Sequence, residues 1–192
     1  MLPRDTEAAR DLAKRHSDWM TGRTHLKVEI HAPLRHAIEV RNDSFVDPSF
    51  VDLLRRYEIA LVVADAAGKW PYKEDVTADF MYLRLHGETE LYSSGYDDAS
   101  LDRWAARIEA WAEGSEPPDA HRIAGTPAKG RRARDVYCYF DNDYKVRAPF
   151  DAQQLMRKLG LRWDVPPVEA PAPRRKRRPA KEPGGAAAAR PA

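Results

Sequence analysis

One segment of the chain places polar side chains at every second position. Tyr82, Arg84 and His86 alternate there with three apolar residues. Because successive side chains of a strand point to opposite faces, the three polar side chains share one face. A second segment repeats this pattern, with Glu39 and Arg41 opposite its apolar positions. Carboxylate and imidazole groups can transfer protons and guanidinium groups can hold an anion, so these faces are candidates for a site.

Further polar residues stand directly after two other segments of strand-like sequence. Asp65 follows the apolar run 59–64, and Asn142 and Asp143 follow the segment 136–140. In a parallel barrel the carboxyl ends of the strands meet at one mouth, which is where ligands bind. We therefore expect one cluster at such a mouth. Its predicted members are Glu39, Arg41, Asp65, Arg84, His86, Asn142 and Asp143.

The residue types of this cluster are compatible with three functions. In an enzyme, Glu39 or Asp65 would be the general acid or base and His86 a second proton carrier. Arg41 and Arg84 would then clamp an anionic substrate. In a binding module, the arginines and two nearby aromatic residues would hold nucleic acid or a phosphorylated metabolite. In a non-enzymatic scaffold, the charges would form a structural ion-pair network. The two aromatic residues are Tyr92 and Tyr96.

Metal and cofactor binding have weaker support in the sequence. Carboxylate and imidazole suit several divalent ions, so Glu39, Asp65 and His86 are a chemically reasonable ligand set. No local spacing motif supports such a set, however, and we predict no metal site. The sequence indicates no particular cofactor. Because Cys138 is the only cysteine, an internal disulfide and a multi-thiolate metal site are both excluded.

The same features suggest where the protein is found in the cell. A single cysteine suits a reducing cytoplasm. The longest apolar run, residues 59–67, is interrupted by Asp65 and is far shorter than a membrane span. The first residues do not resemble a signal peptide. We expect a cytoplasmic protein with no membrane partner.

Helix and strand patterns alternate along the chain. Strands separated by helix-length connections form a parallel sheet with crossovers. The prediction is an α/β fold, a TIM-barrel-like (β/α) sheet of four strand–helix units, which equals half of an eight-stranded barrel. Helices are predicted over 5–20, from 47, over 98–113 and over 151–160, strands over 37–41, 59–64, 80–85 and 136–140, and long loops over 66–79 and 114–134.

The first two predicted helices carry apolar stripes at helical spacing. In the first, Leu12, His16 and Trp19 recur at four and three residues along one stripe, and we expect His16 to be a partly buried packing residue. Pro48 fits the first turn of the second helix, where amide donors lack partners in any case. The expected apolar side of this second helix consists of Phe50, Leu53, Leu54 and Tyr57.

Charge divides the chain into two parts. Residues 174–192 contain seven Lys or Arg and one Glu, so the net charge of +2 becomes −4 over residues 1–173. A mildly acidic folded part argues against an ordinary duplex-binding domain. We predict a folded domain over 1–163 and a disordered basic tail, rich in Pro, Ala and Arg, over 164–192. The run Arg174–Arg178 would give weak nucleic-acid contact or simply increase solubility.

Four stretches together resemble the YecE-like family, also called domain-of-unknown-function family 72. They are EVRNDSF (39–45), VVADAAGKWP (62–71), TADFMYLRLHGETELYSSGYDDASLDRWAARI (77–108) and DVYCYFDNDYKVRAPFDAQQL (135–155). The resemblance implies an eight-unit barrel whose function is not established. The positions that match the family's motifs are Glu39, Arg41, Asp65, Arg84, His86, Tyr96, Asn142 and Asp143.

The chain departs from this family in its length. Relatives carry four further strand units before the point where this sequence starts, and those units should contribute to the same mouth. The chain therefore resembles the second half of such a barrel. Half a barrel leaves two parallel strand edges without partners, so we expect the chain to self-associate or to need the N-terminal half.

Overall fold

Parallel strands joined by helices form the centre of the molecule. The computed structural model describes residues 2–128 and 133–162, and in this part of the chain four strands pair in the order β1-β2-β3-β4. Every neighbouring pair is parallel. This confirms the predicted α/β fold and is consistent with half of a (β/α) barrel. The strands are β1 (His36–Ile38), β2 (Ile59–Asp65), β3 (Phe80–Leu85) and β4 (Asp135–Phe140).

Helices cover one face of the sheet. The described helices are α1 (Thr6–Ala13), α2 (Pro48–Tyr57), α3 (Asp98–Ala112) and α4 (Ala148–Lys158). Of these, α2, α3 and α4 pack against the strands, whereas α1 contributes no buried residue. Leu83 and Leu85 of β3 are fully buried in one cluster with Leu101 and Trp111 of α3. A smaller cluster of Val40, Leu54 and Leu61 joins α2 to the first two strands. The apolar set of each strand therefore faces the helices, as the alternation predicts.

The opposite face of the sheet, here called the inner face, is lined differently from strand to strand. β2 contributes only small residues to it, Val62 and Ala64. β3 and β4 contribute large ones, and the ring of Tyr82 stacks on that of Tyr139 with centroids 5.1 Å apart. Tyr139 keeps 48% of its surface exposed. Small side chains on β2 therefore leave room between the larger groups of β1 and β3.

The first predicted helix is wrong in its length and in its buried side. Asp5 caps α1 by accepting a hydrogen bond from the amide of Ala8 at 2.7 Å, but the helix ends at Ala13. Leu12 and Trp19 are 50% and 72% exposed, and His16 is exposed as well. Beyond Ala13 the chain forms only a short 3₁₀ helix, Asp18–Met20, and the guanidinium carbon of Arg23 lies 4.6 Å from the centre of the Trp19 ring. The predicted stripe therefore does not pack on the sheet.

Two other helices differ from prediction in detail. In α2 the buried residues are Val51 and Leu54, whereas Leu53 and Tyr57 are 47% and 42% exposed. Leu54 packs with Leu61 of β2 in one cluster, so the contact stripe of α2 is rotated from the predicted one. α4 begins at Ala148, three residues before the predicted start, since proline is tolerated in a first helical turn.

Two buried carboxylates hold the long loops together. Glu74, which has no exposed surface, accepts a hydrogen bond from the amide of His121 at 2.8 Å and pairs with NH1 of Arg107 at 3.1 Å. Asp75 accepts from the amides of Ile123 and Ala124 at 2.7 and 2.9 Å. These contacts fix the loop between β2 and β3 against the loop that follows α3.

Two further predictions from the sequence concern the C-terminal tail and the absence of a membrane span. The predicted disordered tail, 164–192, lies outside the described residues. Within the described part of the chain, none of the helices combines the length and apolar character that crossing a membrane requires.

Candidate functional site

Arg84 connects two carboxylates at the carboxyl end of the inner face. Its NH1 lies 2.7 Å from Oε2 of Glu39, and its NH2 lies 2.5 Å from Oδ2 of Asp141. Glu39 follows β1 and Asp141 follows β4, so the guanidinium spans the sheet in both directions. It passes over β2 where Ala64 is the register partner of Arg84. A larger side chain at that position would stand between Arg84 and Glu39.

Arg41 extends this series toward the surface. Its Nε donates to Oε1 of Glu39 at 2.6 Å, and its guanidinium carbon lies 4.0 Å from the centre of the Trp70 ring. The Arg41 side chain is 52% exposed, whereas that of Glu39 is only 11% exposed. No described residue accepts a hydrogen bond from NH1 or NH2 of Arg41. Arg41 is thus fixed at its inner nitrogen and by the ring, and free at its outer nitrogens.

His86 lies beneath these groups without any exposed surface. Its Nε2 is 3.6 Å from Oε2 of Glu39 and its Nδ1 is 3.4 Å from Oδ2 of Asp141. Neither nitrogen makes a hydrogen bond with a described residue. The rings of Trp70 and Tyr92 stand edge-on to the imidazole, with centroids 5.0 and 5.5 Å away. His86 is therefore close to both carboxylates but shielded from solvent.

We call Glu39, Arg41, Arg84, His86 and Asp141 the mouth cluster. Burial alone would raise the pKa of Glu39, but the hydrogen bond from Arg41 and the charge of Arg84 outweigh it, and the pKa is lowered. Burial and the neighbouring Arg84 lower the pKa of His86 against the opposite effect of the two carboxylates. The cluster therefore consists of two arginines, two carboxylates and an imidazole that resists protonation.

Asp65 does not join the mouth cluster, contrary to the expectation that it would converge with Glu39 and Arg84. Asp65 lies two and four positions after Val63 and Leu61, which face the helices. Because alternate residues of a strand share a face, its side chain points away from the inner face. It bonds to the hydroxyl of Tyr96, and burial raises its pKa. The sequence contained this signal, because Asp65 stands at an even spacing from the two apolar residues.

Tyr96, the tyrosine that bonds Asp65, is also on the helix side. Its hydroxyl accepts a hydrogen bond from the amide of Gly87 at 3.1 Å, its ring packs edge-on against Phe140, and only 6% of its surface is exposed. Burial raises the pKa of this phenol, as does the charge of Asp65. Tyr92, by contrast, stands beside the mouth cluster. Of the two predicted aromatic contacts, the structure brings only Tyr92 to the site.

The two polar residues predicted after β4 are also located away from the cluster. Asn142 is fully buried and donates to the carbonyl of Ser94 at 2.9 Å and to Oδ2 of Asp151 at 2.7 Å. Asp143 is exposed in the 3₁₀ turn Asp143–Lys145. The residue that reaches the inner face is Asp141, which lies two positions after Tyr139 and therefore on the same face of the strand. This alternation could have identified Asp141 from the sequence.

Trp70 is the other site residue that the sequence prediction missed. It stands in the loop between β2 and β3, where no periodicity relates its position to that of a strand residue. Its contacts with Arg41 and His86 depend on how that loop folds back over the sheet. The only available signal was the length of the loop, since long loops often carry functional residues.

A cavity lies at the opposite end of the sheet. It encloses about 510 Å³ and is lined by Arg55, Asp79, Arg134 and other residues that precede the strands. Thr77 in its wall is engaged in the fold, since its hydroxyl accepts from the amide of Leu61 at 2.8 Å. Ligands of parallel barrels bind at the carboxyl ends of the strands. We therefore place the candidate site at the mouth cluster.

The mouth cluster can hold an anion and can exchange protons. A half-exposed guanidinium with free donors suits a phosphate or carboxylate group. Asp141, whose side chain is 30% exposed, can accept a hydrogen bond or a proton. The described residues contain no group of three or more His, Cys, Asp or Glu arranged to hold a metal ion.

Comparisons with known proteins agree with this fold. A family model described as "Protein of unknown function DUF72" matches residues 6–177. A DUF72 family protein from Enterococcus faecalis V583, known from a crystal structure, is 21% identical with a TM-score of 0.51, over 71% of this chain and 51% of that one. Its counterpart from Thermotoga maritima MSB8 is 26% identical with a TM-score of 0.52, over 67% and 47% of the two chains. This chain thus spans about half the length of either protein. Among curated proteins, none matches it.

Proposed function

The chain belongs to the DUF72 family, whose members are proteins of unknown function, and we propose that its mouth cluster binds a small phosphate-bearing anion. Membership agrees with the resemblance seen in residues 39–155. It carries no statement about a ligand or a reaction. The proposal therefore depends on the side chains at the mouth of the sheet.

The single observation behind the proposal is the arrangement of Arg41. Its Nε is held by Glu39 at 2.6 Å and its guanidinium carbon lies 4.0 Å from the centre of the Trp70 ring, while NH1 and NH2 have no acceptor among the described residues. A guanidinium fixed on one side loses little conformational freedom when it binds an anion on the other. Phosphate offers the paired oxygens that this fork recognises.

The two arginines have different roles in this proposal. Arg84 is 31% exposed and is engaged by Glu39 and Asp141. These carboxylates already supply the anions that its guanidinium needs. We assign Arg84 to positioning Glu39 and Asp141, and Arg41 to the ligand. In this proposal Arg84 belongs to a structural ion-pair network, whereas Arg41 clamps the ligand.

A binding experiment tests this assignment. Inorganic phosphate is titrated into the whole chain by calorimetry and by thermal shift, with the wild type, Arg41→Ala and Arg56→Ala compared. Arg56 is an exposed arginine of α2, away from the mouth, and serves as the matched control. We expect phosphate to raise the melting temperature of the wild type and of Arg56→Ala, with loss of the effect in Arg41→Ala. Equal effects in all three proteins would reject the proposal.

A further inference from the structure

The charges of the mouth cluster alternate in a row across the sheet. Arg41 contacts Glu39, Glu39 contacts Arg84, and Arg84 contacts Asp141, at 2.6, 2.7 and 2.5 Å. The row begins on the β1 side and ends on the β4 side. Its two inner members, Glu39 and Arg84, each have an oppositely charged neighbour on both sides, whereas each end has such a neighbour on one side only.

The two ends offer opposite chemistry to the mouth. Arg41 presents free donors, as described above. At the other end, Oδ2 of Asp141 is buried against Arg84, yet 30% of the Asp141 side chain is exposed. That exposed part includes Oδ1, to which no described residue donates a hydrogen bond. Asp141 therefore presents an unused acceptor.

The spacing of the strands sets the size of a molecule that reaches both ends. β1 and β4 are separated by three strand intervals. At about 4.8 Å each, these intervals give at most roughly 14 Å along the sheet. Inorganic phosphate is far too small to touch both ends. A phosphorylated sugar, with a hydroxyl group several bonds from its phosphate, comes closer to this upper limit.

The surface between the two ends is aromatic. The rings of Trp70 and Tyr92 both contact the buried His86 and lie next to each other, with centroids 6.5 Å apart. Tyr92 is held by a left-handed backbone conformation, φ 63°, and 38% of its surface is exposed. Aromatic side chains at that position can pack against the apolar faces of a sugar ring. Charge, spacing and aromatic contact thus favour the same kind of ligand.

We propose that the anion bound at the mouth is a sugar phosphate, with its phosphate on Arg41 and a hydroxyl group donating to Oδ1 of Asp141. This inference rests on the proposed phosphate site and extends it to a second contact. Asp141 is then a ligand-binding residue that sets specificity. Glu39, Arg84 and His86 hold the two ends of the row in place.

Affinity ratios test the inference separately from the phosphate site. The dissociation constants of inorganic phosphate, ribose 5-phosphate and free ribose are measured by calorimetry for the wild type, Asp141→Ala and Asp143→Ala. Asp143 is the matched control because it is the next acidic residue along the chain and is exposed outside the cluster. A hydrogen bond to a charged acceptor is expected to make ribose 5-phosphate bind about tenfold more tightly than phosphate in the wild type.

The variants should separate the two ends of the row. In Asp141→Ala, which removes the acceptor, ribose 5-phosphate should lose most of its advantage, while phosphate binds as before because Arg41 is held by Glu39 and Trp70. Asp143→Ala should behave as the wild type. A variant that merely perturbs the fold would weaken both ligands together. Phosphate binding with no gain from the sugar, or a gain that survives in Asp141→Ala, overturns the inference but leaves the phosphate site intact. If no phosphate binds, the proposed function itself fails.

Discussion

Glu39 and Arg84 form an ion pair at 2.7 Å although a whole strand separates them. The pair exists because β2 presents only Ala64 on the inner face between them, in register with Arg84. Small residues on one strand and long charged ones on its two neighbours are therefore parts of the same arrangement. The mouth cluster depends on an alanine that has no chemical function of its own.

Enlarging that alanine should break the pair. Ala64 is only 1% exposed, and we expect Ala64→Leu to lower the free energy of unfolding by about 1–3 kcal/mol, the usual cost of overpacking a buried position. Urea unfolding followed by fluorescence measures the change. Ala106→Leu on the exposed side of α3 is the control and should change stability by less than about 0.5 kcal/mol. An unchanged Ala64→Leu protein would show that the pair does not need this space.

The two arginines should contribute differently to stability. Removing one partner of a fully buried ion pair costs about 3–5 kcal/mol, and removing an exposed pair less than about 1 kcal/mol. Arg84 is 31% exposed and holds two carboxylates, so we expect Arg84→Ala to cost about 2 kcal/mol, between those limits. Arg41→Ala should stay below about 1 kcal/mol. Urea unfolding of both variants, without phosphate, measures these values, and the opposite order would reverse the assigned roles.

The sequence predicted those parts of the site that follow from strand alternation. Arg84 is on β3 and His86 directly follows that strand, and Glu39 and Arg41 keep the same alternation just beyond β1. Their common face follows from backbone geometry. The same rule, applied to Asp65 and Asp141, separates the residue that faces the helices from the one that joins the cluster.

Other parts of the fold could not be predicted, because they depend on tertiary contacts. Trp70 reaches Arg41 and His86 through an irregular loop, and that loop is fixed by the buried Glu74 and its partner Arg107, which is 33 positions away in the sequence. Leu12 and Trp19 show the opposite situation, because the sequence predicted that they share a helix stripe but both are exposed in the structure. A helical period predicts which residues share a face, but not whether another element covers that face.

His86 should make stability depend on pH near neutrality. Its pKa in the folded protein lies below the ordinary value of 6.5, because of burial and the adjacent Arg84, with Glu39 and Asp141 acting in the opposite direction. A lowered folded pKa means that the unfolded chain takes up a proton first, so stability falls as the pH drops below about 6.5 toward the folded pKa.

This loss should be smaller in His86→Gln, which cannot take up the proton. Urea unfolding between about pH 7.5 and about pH 5.5 compares the two proteins. That range stays above the region in which Glu39 is protonated, since its pKa lies below 4.5. Parallel pH profiles for wild type and variant would contradict the prediction. A steeper profile for the variant would mean that the folded state binds the proton more tightly than the unfolded one.

Asp65→Asn tests whether Asp65 belongs to the fold or to the site. Burial raises the pKa of Asp65 above the ordinary value of 3.8, with the hydrogen bond from Tyr96 acting in the opposite direction. For an acid, a raised folded pKa means that the charged form costs stability at neutral pH. Asparagine removes the charge and keeps an oxygen that accepts from the Tyr96 hydroxyl. We therefore expect stability at about pH 7 to be equal to or higher than that of the wild type.

Asp65→Ala provides the matched comparison, since it leaves that hydroxyl without its acceptor and should cost about 1–3 kcal/mol. Phosphate affinity should be the same in Asp65→Asn and in the wild type, because Asp65 and Arg41 lie on opposite faces of the sheet. Urea unfolding and phosphate calorimetry on the same preparations measure both quantities. If Asp65→Asn kept its stability but lost phosphate affinity, Asp65 would act on the ligand from the helix side, and its interpretation as a structural partner of Tyr96 would be wrong.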